Sequence, residues 1–194
     1  MALTFANKVT IARILVLPFF IISLLYYTPS QDYLRWIALG IFAFAVISDV
    51  VDGYIARIRH QKTRAGAILD PLADKLLLIS AFICLYVIRE HFQGIRFPLW
   101  LVIAVISRDM ILLLGSMIIY IIHRDLDIEP SVWGKATTFF QVLTILGMLL
   151  QISLSMMIWY IMVGLTIISG FGYIRRGIKV LNNPFPAHPS GILR

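Results

Sequence analysis

Asp49-Val50-Val51-Asp52-Gly53-Tyr54-Ile55-Ala56-Arg57, followed after eight residues by Gly66-Ala67-Ile68-Leu69-Asp70-Pro71-Leu72-Ala73-Asp74, decides how the chain folds. Asp49 and Asp52 stand at i, i+3 and share a helix face, and Asp70 and Asp74 at i, i+4 share a face of the next helix. The segment between them is short, so the two helices are expected to be antiparallel neighbours with four carboxylates converging at one end. Both helices run on into apolar stretches, Leu34–Val51 before and Pro71–Ile88 after. A carboxylate at the centre of a membrane span costs roughly 2.5–3.5 kcal/mol, less toward the edge, and four together also repel. Hard divalent cations answer both problems. An all-oxygen ligand set without His or Cys suits magnesium, manganese or calcium rather than zinc. Gly53, Ala56 and Ala73 are small enough to allow close approach of a helix or a ligand. Arg57 falls near the acidic face one turn further out, and Arg59, Lys62 and Arg64 complete a basic rim. A basic rim around a metal-binding acidic centre is what a pyrophosphate substrate requires.

Composition agrees with a membrane setting. Of 194 residues 60% are hydrophobic and only 14% charged, against about 45–50% and about 25% in soluble domains. The net charge is +7, with the cations mostly between apolar runs, which points to anionic lipid headgroups or phosphorylated substrates. Aromatic residues are not interleaved with basic ones as a base-stacking surface requires, which argues against nucleic acid as a partner. The single cysteine, Cys84, lies inside an apolar run. It reads as a small buried hydrophobe and excludes an intrachain disulfide or a thiolate cluster. Lys8 and Arg13 precede the first apolar stretch, and no small-x-small cleavage site follows it, so a retained helix is expected rather than a removed signal.

The expected fold class is all-α, a polytopic membrane protein with six transmembrane helices. Apolar runs place spans near 9–27, 34–51, 71–88, 98–122, 138–152 and 156–174. Thr28-Pro29-Ser30-Gln31-Asp32 reads as a loop, the second span continues as helix past the membrane edge, and Gln151 to Ser155 separates the last two. Residues 1–181 form one domain and the proline-rich 182–194 a tail. Basic residues set the orientation. Lys8, Arg13, Arg57, Arg59, Lys62, Arg64, Arg124, Lys135, Arg175, Arg176 and Lys179 fall on one side, against Arg35, Arg89 and Arg96 on the other. The rich side, carrying the aspartates and both termini, is expected to be cytoplasmic.

The pattern Asp49-x2-Asp52-Gly53-x2-Ala56-Arg57-x8-Gly66-x3-Asp70-x3-Asp74 resembles the signature of the CDP-alcohol phosphotransferase family at every defined position. The resemblance implies two divalent cations, Mg2+ or Mn2+, held by Asp49, Asp52, Asp70 and Asp74. Gly53, Arg57 and Gly66 match positions around the nucleotide and its phosphates. Asp74, read as the outermost of its pair, matches the general base for the acceptor hydroxyl. The implied reaction moves a phosphatidyl group from CDP-diacylglycerol to an alcohol with release of CMP, in a bacterial cytoplasmic membrane. The family also implies a homodimer. Paired intramembrane aspartates occur in proton and cation transporters too, a different class that predicts ion flux and no CMP release.

The acceptor rests on lesser motifs. Asn7-x2-Thr10-x2-Arg13 resembles the start of glycerol-lipid members, and otherwise reads as a helix cap with basic flanks. Gly134-Lys135-Ala136-Thr137-Thr138-x2-Gln141 is similar to the Gly-Lys-x-Lys-Thr-x2-Gln stretch of phosphatidylglycerophosphate synthases, with Thr137 in place of the second lysine. Arg108-Asp109 lies within the fourth span, where it is a structural ion pair or points Arg108 at an acceptor phosphate. Those synthases usually carry glutamate after that arginine and a second arginine near the place of Ser116. Arg-Asp here, with Pro130 before the lysine motif, looks more like the CDP-dependent cardiolipin synthases. Glycerol-3-phosphate, met by Arg64, Arg108 and Lys135, is the expected acceptor and phosphatidylglycerol the alternative.

Overall fold

The computed structural model describes residues 5–59, 64–92, 98–123, 132–152 and 154–182, with side chains for 11–51, 72–92, 98–114, 133–152 and 154–172. Six long helices follow in order: α1 Phe5–Leu25, α2 Tyr33–Arg59, α3 Arg64–Val87, α4 Leu99–His123, α5 Val132–Leu149 and α6 Ser155–Asn182. Among the described residues there is no strand. At about 1.5 Å per residue, the shortest, α5 with 18 residues, matches the roughly 30 Å hydrocarbon core of a bilayer to within a turn.

The chain breaks where its local chemistry directs. After α1, Pro29 opens a 3-10 turn, Pro29–Gln31. Asp32 then starts α2, its backbone oxygen accepting from the Arg35 and Trp36 amides. The Asp32 carboxylate accepts from Arg35 Nε at 2.6 Å and Nη2 at 2.7 Å, and from Trp36 Nε1 at 3.1 Å. Negative charge at a helix start suits the exposed backbone N–H groups there. The Arg35 hydrogen bond holds the Asp32 carboxyl below the usual carboxylate range. The turn between α5 and α6 falls at the expected Gln151–Ser155 boundary. Gln151 takes a left-handed φ of 55°, the Ile152 amide donates to Gly147 O, and the Gln151 amide donates to Met148 O. That pairing satisfies the last carbonyls of α5 and folds the chain back on itself. Three helices start a turn or more earlier than the apolar runs suggest, α1 at Phe5 rather than Val9, α3 at Arg64 rather than Pro71 and α5 at Val132 rather than Thr138. Hydropathy marks the lipid-facing length, whereas backbone hydrogen bonding carries the helices beyond it.

In the bundle α3 packs against α1, α4 and α5, while α2 packs on α1 and α5, and α6 on α4 and α5. Phe20, Leu24, Phe42, Ala81, Phe82, Leu85, Leu101, Ile145, Met148 and Met162 fill the centre, all fully buried. Contacts at one end tie chain reversals together. Tyr27 stacks on Phe92 at 5.4 Å, Trp100 meets Trp159 at 6.0 Å, Gln151 Nε2 donates to Tyr27 Oη, and Arg35 Nη1 donates to Leu149 O at 2.6 Å.

The exterior inverts the polarity of a soluble protein. Leu15, Phe19, Tyr26, Phe44, Val50, Ile111, Phe139, Met157, Ile167 and Phe171 are all more than half exposed, while Arg13, Arg35, Arg108, Asp109 and Gln141 are buried. Soluble monomers rarely expose apolar patches beyond a few hundred Å², and ionisable groups in membrane helices turn inward. Among the described residues, Tyr33–Val51 and Ser155–Gly172 are long and apolar enough to cross a membrane, with a shorter apolar helix at Ile11–Leu25. The tail after Asn182 lies outside the described residues.

Candidate active site

Three helices meet at one guanidinium. Arg13 of α1 donates through Nη2 to Asp49 Oδ1 of α2 at 2.9 Å and through Nη1 to Asp74 Oδ1 of α3. The arginine side chain is 5% exposed, while those of Asp49 and Asp74 keep 44% and 36% of their surface open. The expected convergence of carboxylates is met for Asp49 and Asp74, but on Arg13 of α1, against which α2 and α3 each pack; direct packing of α2 on α3, expected from the short segment between them, is not among the main helix contacts of the described residues. Asp52, Gly53 and Arg57 lie on α2, and Arg64, Gly66 and Asp70 on α3. Their side chains lie outside the described residues. Since α3 begins at Arg64, Asp74 is one turn further from the loop than Asp70, so it is the inner member of its pair and not the outermost. Asp49 is likewise the inner member on α2, and the two inner members are the ones that Arg13 joins.

Arg13 and Lys75 belong to this polar cluster although neither stands in the aspartate signature. The sequence signal for Arg13 was its place at the end of Asn7-x2-Thr10-x2-Arg13. Lys75 follows Asp74 directly, and a lysine inside an apolar helix needs a partner. That partner is Asp109 of α4, whose Oδ2 lies 3.1 Å from Lys75 Nζ. Asp109 is fully buried. It also accepts from Arg108 Nη1 at 2.6 Å and from Gln141 Nε2 of α5 at 3.2 Å, while Arg108 Nη2 donates to Ser169 Oγ of α6 at 2.9 Å. One carboxylate thus ties α3, α4 and α5 together, and Arg108 extends the tie to α6. Arg108 Nε and Gln141 Oε1 are buried without a hydrogen-bond partner.

Of the expected acceptor-binding residues, Arg108 is only 6% exposed and has both terminal nitrogens occupied. Lys135, the fourth residue of α5, is exposed. Thr137, which stands where the resembling stretch has a second lysine, is fully buried. Its hydroxyl lies within hydrogen-bond distance of Trp133 O at 2.8 Å and of Leu165 O at 3.3 Å.

Only oxygen ligands are offered by the two carboxylates that converge, a donor set that fits a hard divalent cation. Among the described residues no group of three or more metal-ligating side chains is assembled; Asp52 and Asp70, which would complete the set, are not among those with described side chains.

An all-helical bundle with carboxylates gathered between its second and third helices defines the class, and residues 3–168 match the family model for CDP-alcohol phosphatidyltransferase. The chain belongs to that family and is a phosphatidyltransferase-type membrane enzyme. It is 30% identical over 180 residues to the probable phosphatidylglycerophosphate synthase of Mycobacterium tuberculosis, covering 90% of this chain and 81% of that protein. It is 36% identical over 140 residues to the CDP-diacylglycerol–glycerol-3-phosphate 3-phosphatidyltransferase of Haemophilus influenzae, covering 72% of each. The Aquifex aeolicus protein of the same name is 33% identical over 142 residues, covering 73% of this chain and 72% of that protein.

Proposed function

We propose that this chain transfers the phosphatidyl group of CDP-diacylglycerol to glycerol-3-phosphate and releases CMP. The observation that carries the reading is the gathering of Asp49 of α2 and Asp74 of α3 on Arg13, inside a family signature whose relatives are named for that acceptor. Asp49, Asp52, Asp70 and Asp74 hold two divalent cations, Mg2+ or Mn2+. When bound, these supply Lewis-acid polarisation of the phosphates and offset charge on the leaving group. Gly53 and Gly66 let the nucleotide approach the backbone, and Arg57 pairs with a phosphate. Asp74 accepts the proton of the acceptor hydroxyl, whose oxygen bonds to the phosphorus on the lipid side. The bond from that phosphorus to the CMP oxygen breaks, and CMP leaves with the electron pair.

Glycerol-3-phosphate is met by Arg64, Arg108 and Lys135. Lys135 is free to reach it, whereas Arg108 must use Nε or give up Asp109 or Ser169. All six helices cross the bilayer, both termini and the aspartates face the cytoplasm of a bacterial cell, residues 1–181 form the enzyme domain and two copies associate. The basic residues clustered with the aspartates support that orientation.

Purified protein with CDP-diacylglycerol and manganese is to be offered glycerol-3-phosphate, phosphatidylglycerol, inositol phosphate and serine in parallel, with lipid products identified by mass. Phosphatidylglycerophosphate is the expected product. Cardiolipin from the phosphatidylglycerol arm alone would replace the acceptor assignment.

A further inference from the structure

We propose that Arg13 is a positioning residue for the metal-binding carboxylates, clamping one oxygen of Asp49 and one of Asp74 from the buried side so that the other oxygens are presented to a divalent cation. The inference rests on the reading of those aspartates as metal ligands and deepens it.

Three observations carry it. Both hydrogen bonds from Arg13 go to Oδ1 atoms, which leaves Oδ2 of each carboxylate outside the bridge. Burial is asymmetric: the arginine is enclosed between α1, α2 and α3, while both aspartates keep over a third of their surface open. The guanidinium therefore approaches from the protein side and the open edges face away from it. Finally, the bridge spans two helices with one planar fork. A guanidinium can aim two parallel donors at two acceptors at once, which an ammonium does as a point charge without fixed direction. Groups that hydrogen-bond to metal-ligating carboxylates fix their orientation, and losing one typically weakens metal binding by about 10–100-fold.

The test uses the full-length protein in detergent, without lipid substrate. Mn2+ affinity is measured by the electron paramagnetic resonance signal of the free ion, and thermal unfolding is followed in EDTA. Wild type, Arg13→Gln, Arg13→Lys and Asp49→Asn are compared. Arg13→Gln should bind Mn2+ about 10–100-fold more weakly, and Arg13→Lys should fall between it and wild type. A variant that unfolds earlier in EDTA yet binds Mn2+ within about two-fold of wild type, well short of that range, would make Arg13 structural only and overturn the proposal. Tighter Mn2+ binding would overturn it too, by showing that Arg13 competes with the cation. If Arg13→Gln does not purify folded, Arg13→Lys decides on the same criterion. The failure of the underlying reading looks different. Wild type that binds no Mn2+, or Asp49→Asn that binds it unchanged, removes the aspartates as ligands and the proposal with them. Weakened binding in Asp49→Asn beside unchanged binding in the Arg13 variants removes only the role of Arg13.

Discussion

Asp74 stands between two cations, Arg13 bonded to it from α1 and Lys75 next to it in the chain. Replacing Asp74 with Asn keeps the size and an oxygen for Arg13 but removes the basic site. Turnover should fall by at least about 10²-fold, the low end for general acid–base catalysis, while binding of CDP-diacylglycerol is largely kept. Turnover within a few-fold of wild type would move the base to another residue. The acceptor residues should separate in a comparable pair of measurements. Lys135→Ala, at an exposed position, should raise the KM for glycerol-3-phosphate about ten-fold or more, the loss of one charge-assisted hydrogen bond of roughly 1.5–3 kcal/mol, with stability intact. Arg108→Ala should also lower stability, because breaking a buried ion pair costs about 3–5 kcal/mol and Asp109 is fully buried beside it. Equal losses of CDP-lipid binding and acceptor use in both variants would show that neither residue meets the alcohol. At this scale the sequence was legible where chemistry is periodic. Asp49 with Asp52 and Asp70 with Asp74 announce shared faces through spacings of three and four. Arg13 lies 36 and 61 residues from its two partners, and Gln141 lies 32 from Asp109. No local repeat encodes such pairings, and only the packing of the helices creates them.

Helix ends were read well where a residue physically blocks or caps a helix and less well where only hydropathy was at hand. Pro29 and Asp32 mark the break between α1 and α2, and the break falls there. The early starts of α3 and α5 carry polar or charged residues, Arg64 and Lys135 among them, which an apolar run excludes by construction. The Asp32–Arg35 pair then does more than cap. Arg35 Nη1 reaches Leu149 O at the end of α5 and joins two helices far apart in sequence. Arg35→Met should lower the stability of detergent-solubilised protein by about 1–3 kcal/mol, the cost of leaving a buried carbonyl without its donor. Specific activity per folded molecule should be unchanged, because the latch joins the ends of helices remote from Asp49 and Asp74. Asp32 titrates below the usual carboxylate range, so its share of the latch is present at neutral pH and lost as pH falls through that depressed value. The gap between wild type and Arg35→Met in thermal unfolding should narrow in that acid range. A gap that widened there would mean that Asp32 does not support Arg35.

Across the whole molecule the same physics runs outward from a polar interior. Buried Arg13 pairs with Asp49 and Asp74, and buried Arg108 and Gln141 pair with Asp109, between helices whose outer faces carry Leu15, Phe19, Phe44, Ile111 and Ile167. The all-helical class and the order of the helices were legible because apolar runs of bilayer length are long and separated by turn chemistry. Which helices touch was not, since lipid-facing and partner-facing surfaces are both apolar. The central claim is that carboxylates gathered at the α2–α3 end release CMP from CDP-diacylglycerol with the help of divalent cations. The most direct measurement is CMP release by the purified protein with glycerol-3-phosphate present, in magnesium, in excess EDTA, and after magnesium is restored. Release should stop in EDTA and return with the metal, because the proposed divalent cations would offset the charge that builds on the departing nucleotide. Undiminished CMP release in excess EDTA would contradict the account.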